Sequence, residues 1–177
     1  DFSTPDNIVK AAFKSLNEGD THYTPSSGLY DLKLMAQKVT LKSRGFTPNI
    51  DQLVVTSGAN VQIYYAIACT VNPGDEVIVP DPGFVSYYSI LNFLNVKSVP
   101  VALREDLGFT MKPEDIEKAI TPRTKMIIIN SPSNPTGGVV NKEQWQQIYN
   151  IAVKYNLYIL SDEIYARMVY PDSEKFF

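Results

Sequence analysis

Short, β-rich apolar runs separated by stretches of helical period constrain this chain more than anything else in it. The runs are Leu53-Val54-Val55, Val77-Ile78-Val79, Val99 to Leu103, Met126 to Ile129 and Leu157 to Leu160. Each is apolar at consecutive positions, the pattern of a strand buried on both faces rather than one with a wet side. Helical stretches lie between most of them: Ala59 to Val71, Val85 to Leu94, Pro113 to Ile120 and Asn141 to Tyr155. Strand and helix in alternation predict a mainly parallel sheet covered by helices, an α/β architecture. Upstream, Pro5 to Glu18 and Leu29 to Ser43 read as two further helices, the first with Thr4 as N-cap and Pro5 at its first position, ending at Gly19. The 177 residues are one domain's worth of sequence and enough to bury a core.

Charge and composition exclude several classes of function. Sixteen Lys and Arg against nineteen Asp and Glu leave a net charge of -3, which argues against an electrostatic nucleic-acid binder. No apolar run approaches the roughly 18 residues of a membrane span. The N-terminal Asp1-Phe2-Ser3-Thr4-Pro5 lacks the basic and apolar regions of a secretion signal. The single cysteine, Cys69, has no partner for an internal disulfide or a metal site and is expected to pack in the interior. A cytoplasmic setting is the expectation.

Ligands of open α/β sheets bind beyond the carboxyl ends of the strands, where loops converge and helix N-termini point into a crevice. After Val55 comes Thr56-Ser57-Gly58-Ala59-Asn60, opening a helix. Small residues there let backbone N–H groups approach an anion such as a phosphate, although Ser57 as a simple helix cap accounts for the same residues. After Val79 comes Pro80-Asp81-Pro82-Gly83-Phe84, a rigid turn presenting Phe84 either to a flat ring or to the core. After Ile129 the nine residues Asn130 to Gly138 exceed what a connection needs, and Asn134 within them can offer an amide to a ligand oxygen or merely shape a turn. After Leu160 comes Ser161-Asp162-Glu163-Ile164-Tyr165, where a carboxylate at a buried strand end needs a positive or hydrogen-bonding partner. A local cap or Arg167 would supply one.

Phosphate donors, a stacking ring, an amide and an anion together describe a flat, phosphorylated, cationic heteroaromatic ligand. Pyridoxal phosphate is such a molecule. The helix N-terminus at Gly58, Ala59 and Asn60 would take its phosphate and Phe84 its face. Asn134 and Tyr165 would meet its phenolic oxygen, and Asp162 its protonated ring nitrogen. No Gly-x-Gly-x-x-Gly follows any of these strands, so NAD fits less well, and the Walker pattern is absent too.

With these residues in view the chain resembles the class I/II aminotransferases, of the fold type I pyridoxal-phosphate enzymes. Tyr23-Thr24-Pro25-Ser26-Ser27-Gly28 resembles the family's Tyr-x-x-x-x-Gly signature, and Ser57-Gly58-Ala59-Asn60 its phosphate loop. Pro80 to Phe84 resembles the segment with the stacking aromatic. Asn130 to Gly137 resembles Asn-x-Pro-x-Asn-Pro-Thr-Gly, and Asp162 with Tyr165 the pyridinium partner and its nearby phenol. The resemblance implies a three-layer α/β/α fold and amino-group transfer between an L-amino acid and a 2-oxo acid. It also implies a homodimer in which Tyr23 reaches the other subunit's cofactor phosphate, whereas simple packing beside His22 is the plainer role for that side chain. A β-elimination or cyclisation enzyme of the same fold, or a non-catalytic cofactor-binding domain, fits the same motifs.

One feature departs from the family pattern. The lysine that holds the cofactor covalently is expected some tens of residues beyond Tyr165, and Lys175 is too close to that tyrosine and in the wrong local pattern. Residues 1–177 are therefore expected to be most of a cofactor-binding large domain, incomplete at both ends, cut before that lysine and lacking the C-terminal small domain with its carboxylate-binding arginine.

Overall fold

In a computed structural model of the chain, residues 2–171 are described. Lys175, set aside on its sequence context, lies outside them. Two compact units divide the chain, Asp1–Ser57 and Gly58–Phe177.

The first unit carries two helices, α1 (Asp6–Asn17) and α2 (Tyr30–Arg44), and a short 3-10 turn at Ile50–Gln52. Helix α1 starts one residue later than the sequence suggests. The Pro5 carbonyl accepts from the Ile8 and Val9 N–H groups, so Pro5 rather than Thr4 occupies the N-cap. Helix α2 ends at Gly45, whose φ of 77° is the left-handed stop expected of a glycine there. Leu53-Val54-Val55, expected as a strand, joins no sheet among the described residues. Its Val55 N–H donates to the Ser27 carbonyl at 3.0 Å. Backbone in the extended region, as at Leu53, makes a strand only when a neighbouring strand pairs with it, and here the Val55 N–H is taken by a loop carbonyl instead.

The second unit is a four-stranded, wholly parallel sheet of order β2-β1-β3-β4. Its strands are β1 (Glu76–Asp81), β2 (Lys97–Ala102), β3 (Thr124–Asn130) and β4 (Tyr158–Asp162). Helices α3 (Ala59–Ala68), α4 (Val85–Phe93), α5 (Pro113–Ala119) and α6 (Lys142–Tyr155) cover it. The central strands are buried on both sides, as consecutive apolar residues require. Val77, Val79, Met126 and Ile128 pack with Ile63 and Ile67 of α3 and Tyr87 and Leu91 of α4. Ile78, Ile127 and Ile129 pack on the other side with Ile116 of α5 and Ile148 of α6. These are the three layers anticipated. The outer strands β2 and β4 are only partly covered, because among the described residues each has a neighbour on one side alone. Cys69, at the end of α3, is exposed rather than packed inside. No helix among the described residues is long and apolar enough to cross a membrane.

Helix α6 begins with a reciprocal cap. The Gln144 N–H donates to Asn141 Oδ1 at 2.9 Å, and the Asn141 N–H donates to Gln144 Oε1 at 3.1 Å. This pins the crossover that delivers β4 beside β3.

At the amino end of the sheet, Glu76 is 1% exposed and carries a charge. Its carboxylate accepts from the Thr121 hydroxyl at 2.6 Å, from Arg123 Nη2 at 2.8 Å and from Lys97 Nζ at 3.1 Å. These hydrogen bonds, Thr121 first, hold its carboxyl at about 2 rather than 4.5. Because the folded value is the lower one, this stabilisation is complete above pH 4.5 and is lost as the pH falls toward 2. Glu76→Gln should lower the unfolding free energy at pH 7 by about 2 kcal/mol, as hydrogen bonds to a charged group are lost. Urea titrations at several pH values should show the gap from wild type closing between pH 4.5 and 2. A pH-independent gap would contradict this account.

Candidate functional site

The chain leaves β1 through α4 on one face of the sheet and leaves β3 through α6 on the other. Such divergence between neighbouring strands opens a crevice at their carboxyl ends. Local chemistry widens it. The ladder between β1 and β3 spans Glu76–Thr124 to Ile78–Ile127 and goes no further. Two residues on stands Pro80, which has no N–H to continue it. Beyond this point the two strands end separately, and a cleft of about 210 Å³ lies at their tips.

Ala59 and Asn60, in the first turn of α3, line one part of the cleft. The residue before them, Gly58, is the N-cap, with φ +91°. The cap position considered for Ser57 therefore falls to Gly58, and a positive φ explains the glycine. First-turn N–H groups have no partner within a helix, and the helix dipole adds partial positive charge. Phe84 and Ile63 supply apolar wall, and Phe84 is half-buried. Asn134, Tyr165 and Asp162 also line the space.

Asp162 ends β4 opposite Asn130, which ends β3. Its carboxylate is half-buried and has two donors. The Ile164 N–H reaches Oδ1 at 3.2 Å, the local cap foreseen from sequence. The second donor is the hydroxyl of Tyr87, 2.6 Å from Oδ2 and 75 residues away in the chain, in place of the Arg167 considered earlier. Burial first, and the Asp162 carboxylate second, push the Tyr87 hydroxyl far above its ordinary pKa, so it remains a donor. Its ring also meets Phe84 edge-on, with centroids 5.7 Å apart.

Asn130 holds this end of the sheet together. Its side-chain Nδ2 donates to the Asp162 carbonyl at 3.1 Å, and its Oδ1 accepts the Asn134 N–H at 2.7 Å. The loop beyond is fixed further by the Val140 N–H on Ser131 Oγ at 2.9 Å. A Cβ at Gly138 would run into the carbonyl of Phe109, so only glycine lets the loop close there.

Six of the eight sequence-nominated residues, Ala59, Asn60, Phe84, Asn134, Asp162 and Tyr165, thus share one cleft, and Gly58 caps the helix that borders it. Tyr23 belongs to the first unit and is fully exposed. Sequence reasoning missed Tyr87 and Asn130. Tyr87 stands three residues after Phe84, one helical turn on, and that spacing was the available signal. Asn130 is the first fixed position of the Asn-x-Pro-x-Asn-Pro-Thr-Gly segment already singled out, and that position was the available signal, but its service to backbone groups was not read from it.

Fold and cleft define an open, doubly wound α/β protein with a cleft at its switch point, where Asn130, Asn134, Asp162 and Tyr165 bring polar groups to a mainly apolar lining. The chain belongs to the aminotransferase class I and II family, whose sequence pattern matches residues 1–177. It is 40% identical over 176 residues to an aspartate aminotransferase of Pyrococcus horikoshii, spanning 99% of this chain and 45% of that protein. To an asparagine–oxo-acid transaminase of Streptococcus mutans it is 43% identical, spanning 96% of this chain and 44% of that one. Among solved structures, a single mutant of the Thermus thermophilus aspartate aminotransferase superposes with a TM-score of 0.95 at 36% identity, over 100% of this chain and 46% of the other. An aromatic aminotransferase from Pyrococcus horikoshii gives 0.94 at 32% identity, over 100% of this chain and 48% of that one. The chain thus spans about half the length of the relatives it matches.

Asn130→Ala removes the acceptor of the partly buried Asn134 N–H and the donor to the Asp162 carbonyl, and should destabilise by about 2 kcal/mol. Hydrogen exchange followed by mass spectrometry should show faster exchange across 131–138, centred on Asn134. Protection as in wild type would mean that Asn130 does not hold the loop.

Proposed function

We propose that residues 1–177 are most of the cofactor-binding large domain of a pyridoxal-phosphate-dependent aminotransferase. The whole protein moves an amino group between an L-amino acid and a 2-oxo acid. The observation that carries this reading is the meeting of Phe84, Asn134, Tyr165 and Asp162 in one cleft beside the first turn of α3, in a member of this family. Assembly as a homodimer, with Tyr23 reaching the partner's phosphate, and a cytoplasmic location belong to the same reading and rest on the family.

The residues present fit the cofactor. A helix start with a glycine N-cap and small first-turn residues suits a dianionic phosphate, and a carboxylate already held by two donors suits a cationic ring nitrogen. Bound pyridoxal phosphate supplies an electron-withdrawing ring that stabilises negative charge developing at the substrate's Cα. Each protein group then has a defined duty. The N–H groups of Ala59 and Asn60, next to Gly58, hold the phosphate. Phe84 covers one face of the ring and keeps water from it. Asn134 and Tyr165 hydrogen-bond the phenolic oxygen. Asp162 keeps a proton on the ring nitrogen, because a carboxylate beside that atom favours its charged form. The lysine that removes the Cα proton and the arginine that grips the substrate carboxylate are supplied by parts of the protein outside residues 1–177.

The test uses the complete enzyme with L-amino acid and 2-oxo acid pairs, scoring the new amino acid formed. Asp162→Asn keeps the side chain's shape and an oxygen for the Tyr87 hydroxyl but removes the charge. The half-reaction should slow by about 100-fold or more, the scale of losing one partner of a paired charge, while the unfolding midpoint stays close to wild type. Release of ammonia with no new amino acid would replace transamination by elimination. A variant as fast as wild type would remove Asp162 from the chemistry.

A further inference from the structure

Tyr87 is a core residue with a polar tip that packing does not explain. Its ring is fully buried among Val77, Val79, Met126 and Ile128. A phenylalanine would fill the same space without bringing a hydroxyl into an apolar cluster, where such a group must find a partner. The partner it finds is Asp162 Oδ2, at 2.6 Å. The other carboxylate oxygen is held by the Ile164 N–H. Two donors from separate elements, α4 and the turn after β4, leave the carboxylate little freedom to rotate. The same Tyr87 ring stands edge-on to Phe84, at 85° between planes.

We propose that Tyr87 is a positioning residue of the cofactor site, its hydroxyl aiming the Asp162 carboxylate at the ring nitrogen while its ring edge backs the stacking face of Phe84. This rests on the reading of the cleft as a pyridoxal-phosphate site. A carboxylate free to turn would spend part of its time with its lone pairs away from the ring nitrogen. Tyr87 removes that freedom before the cofactor arrives, so less ordering remains to be done on binding. The hydroxyl is suited to this because burial and the neighbouring carboxylate both oppose its ionisation, so it remains a donor at any pH at which the enzyme works.

The experiment is a double-mutant cycle in the complete enzyme with Tyr87→Phe, Asp162→Asn and the pair, reading pyridoxal-phosphate affinity by equilibrium dialysis. The ¹⁵N chemical shift of the labelled ring nitrogen against pH reports its protonation. Tyr87→Phe alone should weaken retention about tenfold, the scale of one hydrogen bond to a charged group. It should also move the ring-nitrogen titration to lower pH. In the Asp162→Asn background the same change should alter affinity less than about twofold, because the carboxylate it aims is gone. Placing 4-aminophenylalanine at position 87, which keeps an N–H donor on the same ring, should restore both readouts. An equal loss in both backgrounds, or no rescue by the amino analogue, would reduce Tyr87 to a packing residue. No loss in either background would overturn the proposal outright. A wild-type enzyme that does not retain the cofactor would overturn the underlying reading as well, which separates the two failures.

Discussion

The parallel register between β3 and β4 is the constraint on which the site depends. It sets Asn130 and Asp162 opposite each other as the last residues of their strands. A shift of one residue would turn each side chain to the other face of the sheet. In the observed register Asn130 uses one end of its amide on the Asp162 carbonyl and the other on the Asn134 N–H. One buried side chain thereby ties two strand ends and the following loop into a single unit. The cost of leaving its two partners unpaired in a closed environment is what makes the arrangement specific.

Around that tie the cleft is made by the sheet coming apart. Chain direction sends α4 and α6 to opposite faces, and the β1–β3 ladder stops short of Pro80. Pro80, just beyond the end of that ladder, still pairs with Val101 of β2 and begins the turn that carries Phe84, while Tyr88 donates its hydroxyl to the Pro80 carbonyl at 2.8 Å. Disruption of the ladder and presentation of the aromatic wall are two effects of one segment. Tyr87, in the next helical turn, then links this wall to the acid on the far strand. The charged hub at Glu76 sits at the opposite, amino end of β1, so the groups that secure the sheet and those that form the cleft do not compete for the same ground.

Much of this was legible in the residues, and the parts that were not share a cause. Consecutive apolar residues marked the runs of β1 to β4 as strands, but the expected burial on both faces is realised only in β1 and β3, because β2 and β4 lie at the edges of the described sheet. Glycine, proline and asparagine marked the loops by their own backbone preferences. Leu53-Val54-Val55 looked like a strand by the same standard, yet its Val55 N–H found a loop carbonyl. Cys69, in an apolar neighbourhood of sequence, stands at a helix end and is exposed.

Local chemistry therefore marked four of the five apolar runs that become strands, the loops that follow them, and the side chains that wait at the carboxyl ends: Phe84, Asn134, Asp162 and Tyr165. Those properties belong to a residue and its near neighbours along the chain. Tertiary structure alone decided that these loops face one cleft, that Tyr87 rather than Arg167 meets the acid, and that Asn130 binds the strand ends together. Hydrogen bonds between groups 32 and 75 residues apart exist only once strand order and register have been chosen, and no local preference encodes that choice.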